Sequence, residues 1–393
     1  MAGSIIVNGA RTPIGKLTGS LAGFSATDLG GLAIAGALAR AGIEGDQVDY
    51  VYMGQVLVGG AGQAPARQAA FKGGVPMTTP SALINKVCLS GINAIYLADQ
   101  MIASGEADIV VAGGMESMTN APYLLMKARG GYRFGDDTIH DSMIHDGLFC
   151  AFEHCAMGEG TERYAASAGL DRLPQDELAA ASHERAARAQ KDGLFDDEVV
   201  PVAVPQRRGD PIMFSVDEGV RANTTADSLG SLAPAFVKAG NITAGNASQI
   251  SDGAAAVIVA SKAAVERLGL EPLAEVVGYG QVAGPDPSLL TQPSRAIALA
   301  ASRAGMTVRD IDLFEINEAF AAVGVASMRD LGITADECNV NGGAIALGHP
   351  IGMSGTRIAL TLALELRRRG GGLGAAALCG GGGQGDALLL RSL

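Results

Sequence analysis

Cys88 stands in Asn85-Lys86-Val87-Cys88-Leu89-Ser90-Gly91, between an apolar strand and the first turn of an apolar helix that runs to about Ser104. Unpaired N–H groups and the helix dipole at such a start favour an anion, so the position predicts a thiolate stabilised relative to the free cysteine pKa of about 8.5. A thiolate is the nucleophilic form of the side chain, although a small buried hydrophobe fits the same position. His349 lies in the glycine-dense loop Asn341–Gly352, just ahead of a second apolar helix over about 354–369. Brought together, a thiol and an imidazole make an activated nucleophile. Cys379 ends an apolar strand and is followed by four glycines, Gly380 to Gly383, whose open backbone offers the N–H donors that an oxyanion needs. Asn317-Glu318 places a polar pair at another strand end, which suits either a site or a helix cap.

Something must bring these distant positions together, and the sequence contains a candidate. Ala41-Gly42-Ile43 … Val48-Asp49-Tyr50-Val51-Tyr52-Met53-Gly54 aligns without a gap, at an offset of 263, with Ala304-Gly305-Met306 … Ile311-Asp312-Leu313-Phe314-Glu315-Ile316-Asn317. Each follows an alanine-rich helix, about 28–41 and 294–304, and leads into an apolar strand. Further along each half, an apolar helix is followed by a strand ending in a glycine pair, Gly113-Gly114 and Gly380-Gly381. Both of those helices are apolar nearly all round, which predicts burial between layers. Strands alternating with helices predict an α/β fold with sheets covered on both faces. If a pseudo-twofold relates the halves, the helix starts at Cys88 and after His349 face one interface.

Residues 119–249 break the repeat and read as an inserted lobe, with four of the five histidines and an amphipathic helix from Pro174 to Lys191. The expected division is therefore 1–118 with 250–271 as a first half carrying the nucleophilic Cys, 119–249 as the insertion, and 272–393 as a second half carrying the His and the second Cys.

The 393 residues allow two or three domains and an ample core. A net charge of −12 argues against a nucleic-acid partner, which calls for a basic face. No apolar run approaches the roughly 20 residues of a membrane span. The five cysteines are an odd number, and a strand starts at Ser4 with no room for a leader, so free thiols in the cytoplasm are expected. Cys150 and Cys155 have no second ligand pair at zinc spacing, so no metal is expected. Gly380, Gly382 and Gly385 match G-x-G-x-x-G, but the run leads into a strand rather than a helix, against a dinucleotide site.

Taken in order, Val87-Cys88-Leu89-Ser90-Gly91, Gly113-Gly114-Met115-Glu116-Ser117-Met118, Thr243-Ala244-Gly245-Asn246-Ala247-Ser248 with Asp252-Gly253-Ala254-Ala255, Asn317-Glu318-Ala319-Phe320, Asn341-Gly342-Gly343-Ala344-Ile345-Ala346 with Gly348-His349-Pro350, and Cys379-Gly380-Gly381-Gly382 resemble the thiolases over the whole length. The resemblance implies a thiolase-like duplicated αβαβα layered sandwich with an inserted loop domain that binds coenzyme A. It implies Claisen condensation, or thiolysis of acetoacetyl-CoA or a longer 3-ketoacyl-CoA, through a thioester on Cys88. His349 is then the activating base, Cys379 the acid/base at the α-carbon, and Asn317 the holder of a water that shares an oxyanion hole with His349. The N–H groups of Cys88 and Gly381 form the other hole. Arg221, Ser228, Phe236, Ala244 and Ser248 are implied along the coenzyme A tunnel, with Leu148, Met157, Ala319 and Phe320 near the acyl end. Coenzyme A thioesters are substrates and no further cofactor is implied; a homotetramer or dimer in fatty acid metabolism is.

Two stretches depart from the family pattern. Ala156-Met157-Gly158 stands where acetoacetyl-CoA thiolases carry His-Met-Gly, and Gly284-Pro285-Asp286-Pro287-Ser288, ahead of Leu289-Leu290-Thr291-Gln292-Pro293, has serine in place of the alanine of Gly-Pro-x-Pro-Ala. Both bear on acyl chain length rather than on catalysis. A decarboxylating ketoacyl-synthase-like enzyme shares the nucleophilic Cys but not a thiol at 379, and a non-catalytic lipid carrier would not need Cys88, His349 and Cys379 together.

Overall fold

A computed structural model describes residues 3–393. The strands that build the central sheet are β1 (Ile5–Arg11), β2 (Tyr50–Gly54), β3 (Ser81–Ile84), β4 (Ile109–Ser117), β5 (Ser251–Ala260), β6 (Ala274–Ala283), β7 (Leu313–Ile316), β8 (Leu373–Gly380) and β9 (Gln384–Ser392). In space they run β7-β8-β9-β6-β1-β5-β4-β2-β3, with the two-residue strand Gly15–Lys16 added beside β5. The packed helices are α1 (Ala26–Ala41), α2 (Pro65–Lys72), α3 (Ser90–Ala103), α4 (Met157–Ser167), α5 (Arg172–Lys191), α6 (Gln292–Arg303), α7 (Ala321–Leu331) and α8 (Ser354–Arg368).

The duplication read from the sequence is visible in the pairing. β2 and β4 are parallel, as are β7 and β8, while β4-β5-β1 and β8-β9-β6 are antiparallel runs. Gly42 and Gly305, 263 apart, both take the left-handed conformation (φ 66° and 70°) that stops the preceding helix turn. Single helical turns at Gly45–Gln47 and Val308–Asp310 then lead into β2 and β7. The sheets of the two halves are joined edge to edge by Ile5↔Glu275 and Ile6↔Ala274.

Alternation along the strands creates the layers. Val110 and Val257 point inward with Leu378 and Leu388 of the second half, and with Ile92 and Ile95 of α3 and Ile358 and Leu362 of α8. Val111 and Ile258 point outward onto α1 and α2, and Ala375 and Leu389 onto α6. The order is helix, sheet, helix, sheet, helix. α8 is buried from Ser354 through Leu366, whereas burial in α3 ends near Ala98, so both helices lie between the layers and α8 is the more enclosed.

The starts of these two helices touch. Thr356 Oγ1 donates to the Gly91 carbonyl at 3.1 Å, and a Cβ on Gly355 would lie 2.3 Å from the Ile92 nitrogen, so only glycine permits this approach. Gly113-Gly114 does not end β4, which continues to Ser117. A Cβ on Gly114 would meet the Gly352 carbonyl at 2.0 Å, so this glycine serves close packing rather than a turn.

Between β4 and β5 the chain forms small hairpins, Tyr123–Leu124 with His140–Asp141 and Phe149–Cys150 with Cys155–Ala156, followed by α4 and α5. Arg11 at the end of β1 pins this excursion. It is fully buried and bonds Glu198 at 2.7 Å and Asp217 at 2.7 Å.

Candidate active site

Cys88 follows Val87, a β-branched residue held at φ +51°. That left-handed conformation is costly for a branched side chain and persists only when neighbours enforce it. They do so here. Val87 N donates to Asn85 Oδ1 at 3.2 Å, Ser90 Oγ donates to the Val87 carbonyl at 2.6 Å, and Lys86 N donates to Ser90 Oγ at 2.9 Å. Lys86 Nζ also reaches both oxygens of the wholly buried Asp386, each at 2.8 Å. Asp386 accepts a further bond from the Tyr279 hydroxyl at 2.5 Å and sits opposite Leu378, one rung from Cys379↔Gly385. The nucleophile turn of one half is thus tied to the second-thiol hairpin of the other.

Burial pushes the Cys88 thiol up to about 12, and Glu116 adds to the rise; hydrogen bonds from the N–H groups of Cys88 and Gly381 pull against it and lose. The expectation of a resting thiolate at the helix start is therefore corrected. Desolvation outweighs the helix terminus because the thiol is enclosed by both halves. Cys379 is 1% exposed, and burial raises it above the ordinary thiol range with Cys88 beside it as the second cause.

His349 Nδ1 lies 2.6 Å from Ser354 Oγ, which itself donates to the Pro350 carbonyl at 3.0 Å. That chain assigns the ring proton to Nδ1 and leaves the lone pair on Nε2, 3.4 Å from Asn317 Nδ2. Burial depresses the imidazole to about 3, with Arg357 contributing. Asn317 Oδ1 is buried and receives no hydrogen bond from the protein. Glu116 accepts from Val56 at 3.0 Å, Leu57 at 3.1 Å and Gly352 at 2.9 Å, tying β4 to the loop after His349. Burial raises its pKa to about 7.

A cavity of about 520 Å³ opens in front of these groups, and His349 lines it. So do Leu148, Met157, Phe236, Ala244, Ser248, Ala319 and Phe320. The two thiols adjoin residues of its lining: the partly buried Cys88 packs with Leu148 and Ile351, and the buried Cys379 with Met157, Ala319 and Phe320. Arg221 and Ser228 do not line it. Both are exposed; the Arg221 backbone N–H donates to His183 Nδ1 at 3.1 Å and the Ser228 hydroxyl to the Thr225 carbonyl at 2.8 Å. Ser354, Lys86 and Asp386 escaped the sequence reading. Ser354, at the first turn of the helix after His349, was the most accessible of the three. Among the described residues, no cluster of His, Cys, Asp or Glu is arranged to hold a metal, and no helix is long and apolar enough to cross a membrane.

A duplicated five-layer α/β sandwich with two thiols and an imidazole at its seam is a scaffold for acyl transfer. The family model described as thiolase, N-terminal domain, matches residues 4–263, and that of the thiolase C-terminal domain matches 270–392. A probable acetyl-CoA acetyltransferase of Mycolicibacterium smegmatis is 60% identical over 98% of this chain and 100% of its own length. An acetyl-CoA acetyltransferase of Cupriavidus necator is 51% identical with both chains covered in full. The crystal structure of the Bacillus anthracis acetyl-CoA acetyltransferase superposes with a TM-score of 0.97 at 38% identity, covering 100% of this chain and 99% of that one. The chain belongs to the thiolase family and is an acyltransferase.

Proposed function

We propose that the protein exchanges acyl groups between coenzyme A thioesters, cleaving acetoacetyl-CoA or a longer 3-ketoacyl-CoA with coenzyme A and running the Claisen condensation in reverse. In cleavage, Cys88 Sγ attacks the 3-keto carbon as its proton passes to His349 Nε2. The oxygen takes up negative charge against the N–H groups of Cys88 and Gly381, which now point at the sulfur. The bond between C2 and C3 then breaks. Its electron pair remains on the acetyl-CoA fragment as an enolate, whose oxygen is met by His349 and a water on Asn317, and C2 takes the Cys379 proton. Coenzyme A next gives its thiol proton to the Cys379 thiolate, attacks the acyl carbonyl and expels the Cys88 thiolate, which recovers its proton from His349 Nε2. Directed donors of this kind contribute on the order of 3 kcal/mol each.

Residues 119–249 supply much of the cavity wall and would hold coenzyme A, with the acyl end between Leu148, Met157, Ala319 and Phe320. Arg221 and Ser228, at solvent, fit only the outermost nucleotide. The same reading places the enzyme in fatty acid metabolism, in the cytoplasm, as a homotetramer or dimer; all five cysteines are unpaired, which suits a reducing compartment.

The observation that carries this reading is the convergence of Cys88, Gly381 and Cys379 across the seam beside the Asn317–His349 pair. Thiolysis of a chain-length series of 3-ketoacyl-CoA, with mass analysis of trapped acyl-enzyme, tests it in the wild type and in Cys88→Ser and Cys379→Ser. Cys88→Ser should form no acyl-enzyme and Cys379→Ser should acylate without completing exchange. Full activity in either variant, carbon dioxide release from malonyl-CoA, or lipid binding without an acyl-enzyme would overturn it.

A further inference from the structure

We propose that Cys150 and Cys155 are a second thiol pair with its own chemistry, a reversible disulfide across the hairpin that walls the cavity. The two residues face each other in the ladder Phe149↔Ala156, Cys150↔Cys155. Directly opposed residues of an antiparallel pair have Cα atoms about 4.5 or 5.5 Å apart and side chains on one face. Both separations fall inside the roughly 4.4–6.8 Å range that a disulfide requires. Each thiol is 5% exposed and neither lines the main cavity, so the proposed acyl transfer leaves them unused. Cys150 Sγ accepts from Glu153 N at 3.4 Å, and Arg163 Nη2 lies 3.0 Å from Cys155 Sγ. The guanidinium favours the Cys155 thiolate, against burial, which raises its pKa.

The oxidant is a low-molecular-weight disulfide. The Cys155 thiolate attacks one of its sulfurs, forming a mixed disulfide and expelling one thiolate. Cys150 then loses its proton and attacks the Cys155 sulfur, and the second small thiolate leaves. The protein pair gives up two electrons and two protons, and the small disulfide becomes two thiols. The bond closes only residues 151–154, so it restricts the unfolded chain little. It sits between Leu148 and Met157, which line the cavity, and fixes the turn from which Phe152 approaches Gly382; a Cβ on Gly382 would lie 3.0 Å from that ring.

The test incubates the full-length protein in graded mixtures of oxidised and reduced glutathione, alkylates the remaining thiols and maps the peptides by mass. The expected product is a peptide containing Cys150 and Cys155 that is two hydrogens lighter, unalkylated at both, and restored by dithiothreitol. Cys150→Ala should retain full thiolysis activity when reduced, and should stop at a glutathione adduct on Cys155. Alkylation of both thiols at every ratio, or oxidation that joins only Cys88 to Cys379, would overturn the proposal.

Discussion

The two turns that enter the buried helix layer are built on one plan and do opposite things. In the first half, Val87 is forced to φ +51° and the next residue is a thiol that burial keeps protonated. In the second half a glycine takes the unusual conformation, Gly348 at φ +113°, and the next residue is an imidazole that burial keeps neutral. The thiol turn is clamped from outside by Lys86 and Asp386; the imidazole turn is ordered from within by Ser354 of its own helix. Duplication supplied two comparable helix-entry turns, and in the proposed mechanism one carries the nucleophile and the other its base. Burial acts against charge on both groups, so in the proposed mechanism the ion pair forms only as substrate accepts the new bond.

Breaking the nucleophile turn should have the largest effect. Cys88→Ala removes the covalent step and should lower kcat for thiolysis by about 10³-fold or more, read with acyl-enzyme mass analysis. His349→Asn keeps the turn but removes the base, with an expected loss of roughly 10² to 10³-fold in kcat/KM. If the two losses simply multiplied in the double variant, the comparison would fail, because residues acting in one step are not additive. The resting state can be probed directly. With a Cys88 pKa of about 12, the thiolate fraction rises tenfold per pH unit below that value, so iodoacetamide alkylation of Cys88 should still be climbing at pH 9, about 100-fold faster than at pH 7. A plateau near pH 7 would restore the thiolate expected from the sequence.

Smaller effects sharpen the contrast between the clamps. Lys86→Met should reduce kcat by about tenfold with little change in KM, because a misplaced sulfur costs rate rather than binding, and Lys86→Arg should recover most of it. An equal loss in both variants, tracking a fall in Tm, would mark the pair as structural only. Smallest of all, Arg221→Ala should raise KM for coenzyme A less than about fivefold, the effect of one exposed charge.

How far the sequence led depends on the range of the interaction. The offset of 263 located equivalent turns, including Gly42 with Gly305, because helix stops and strand entries are local. Cys88 stands out by its place between a strand and a helix start, His349 by that symmetry, and seven cavity residues come with the family resemblance. The protonation of Cys88 was misread because desolvation is imposed by chain segments hundreds of residues away. The Lys86–Asp386 pair, 300 positions apart, has no local signature at all. Gly114 looked like a strand stop because its true constraint, the Gly352 carbonyl, lies in the other half.

The two-rung seam between β1 and β6 bears on what holds the halves together. With so little backbone joining the sheets, cohesion rests on the apolar layer between them, and a single half-repeat standing alone would leave that face wet. Carrying both halves in one chain keeps that face covered and leaves the two copies of the turn free to be different residues.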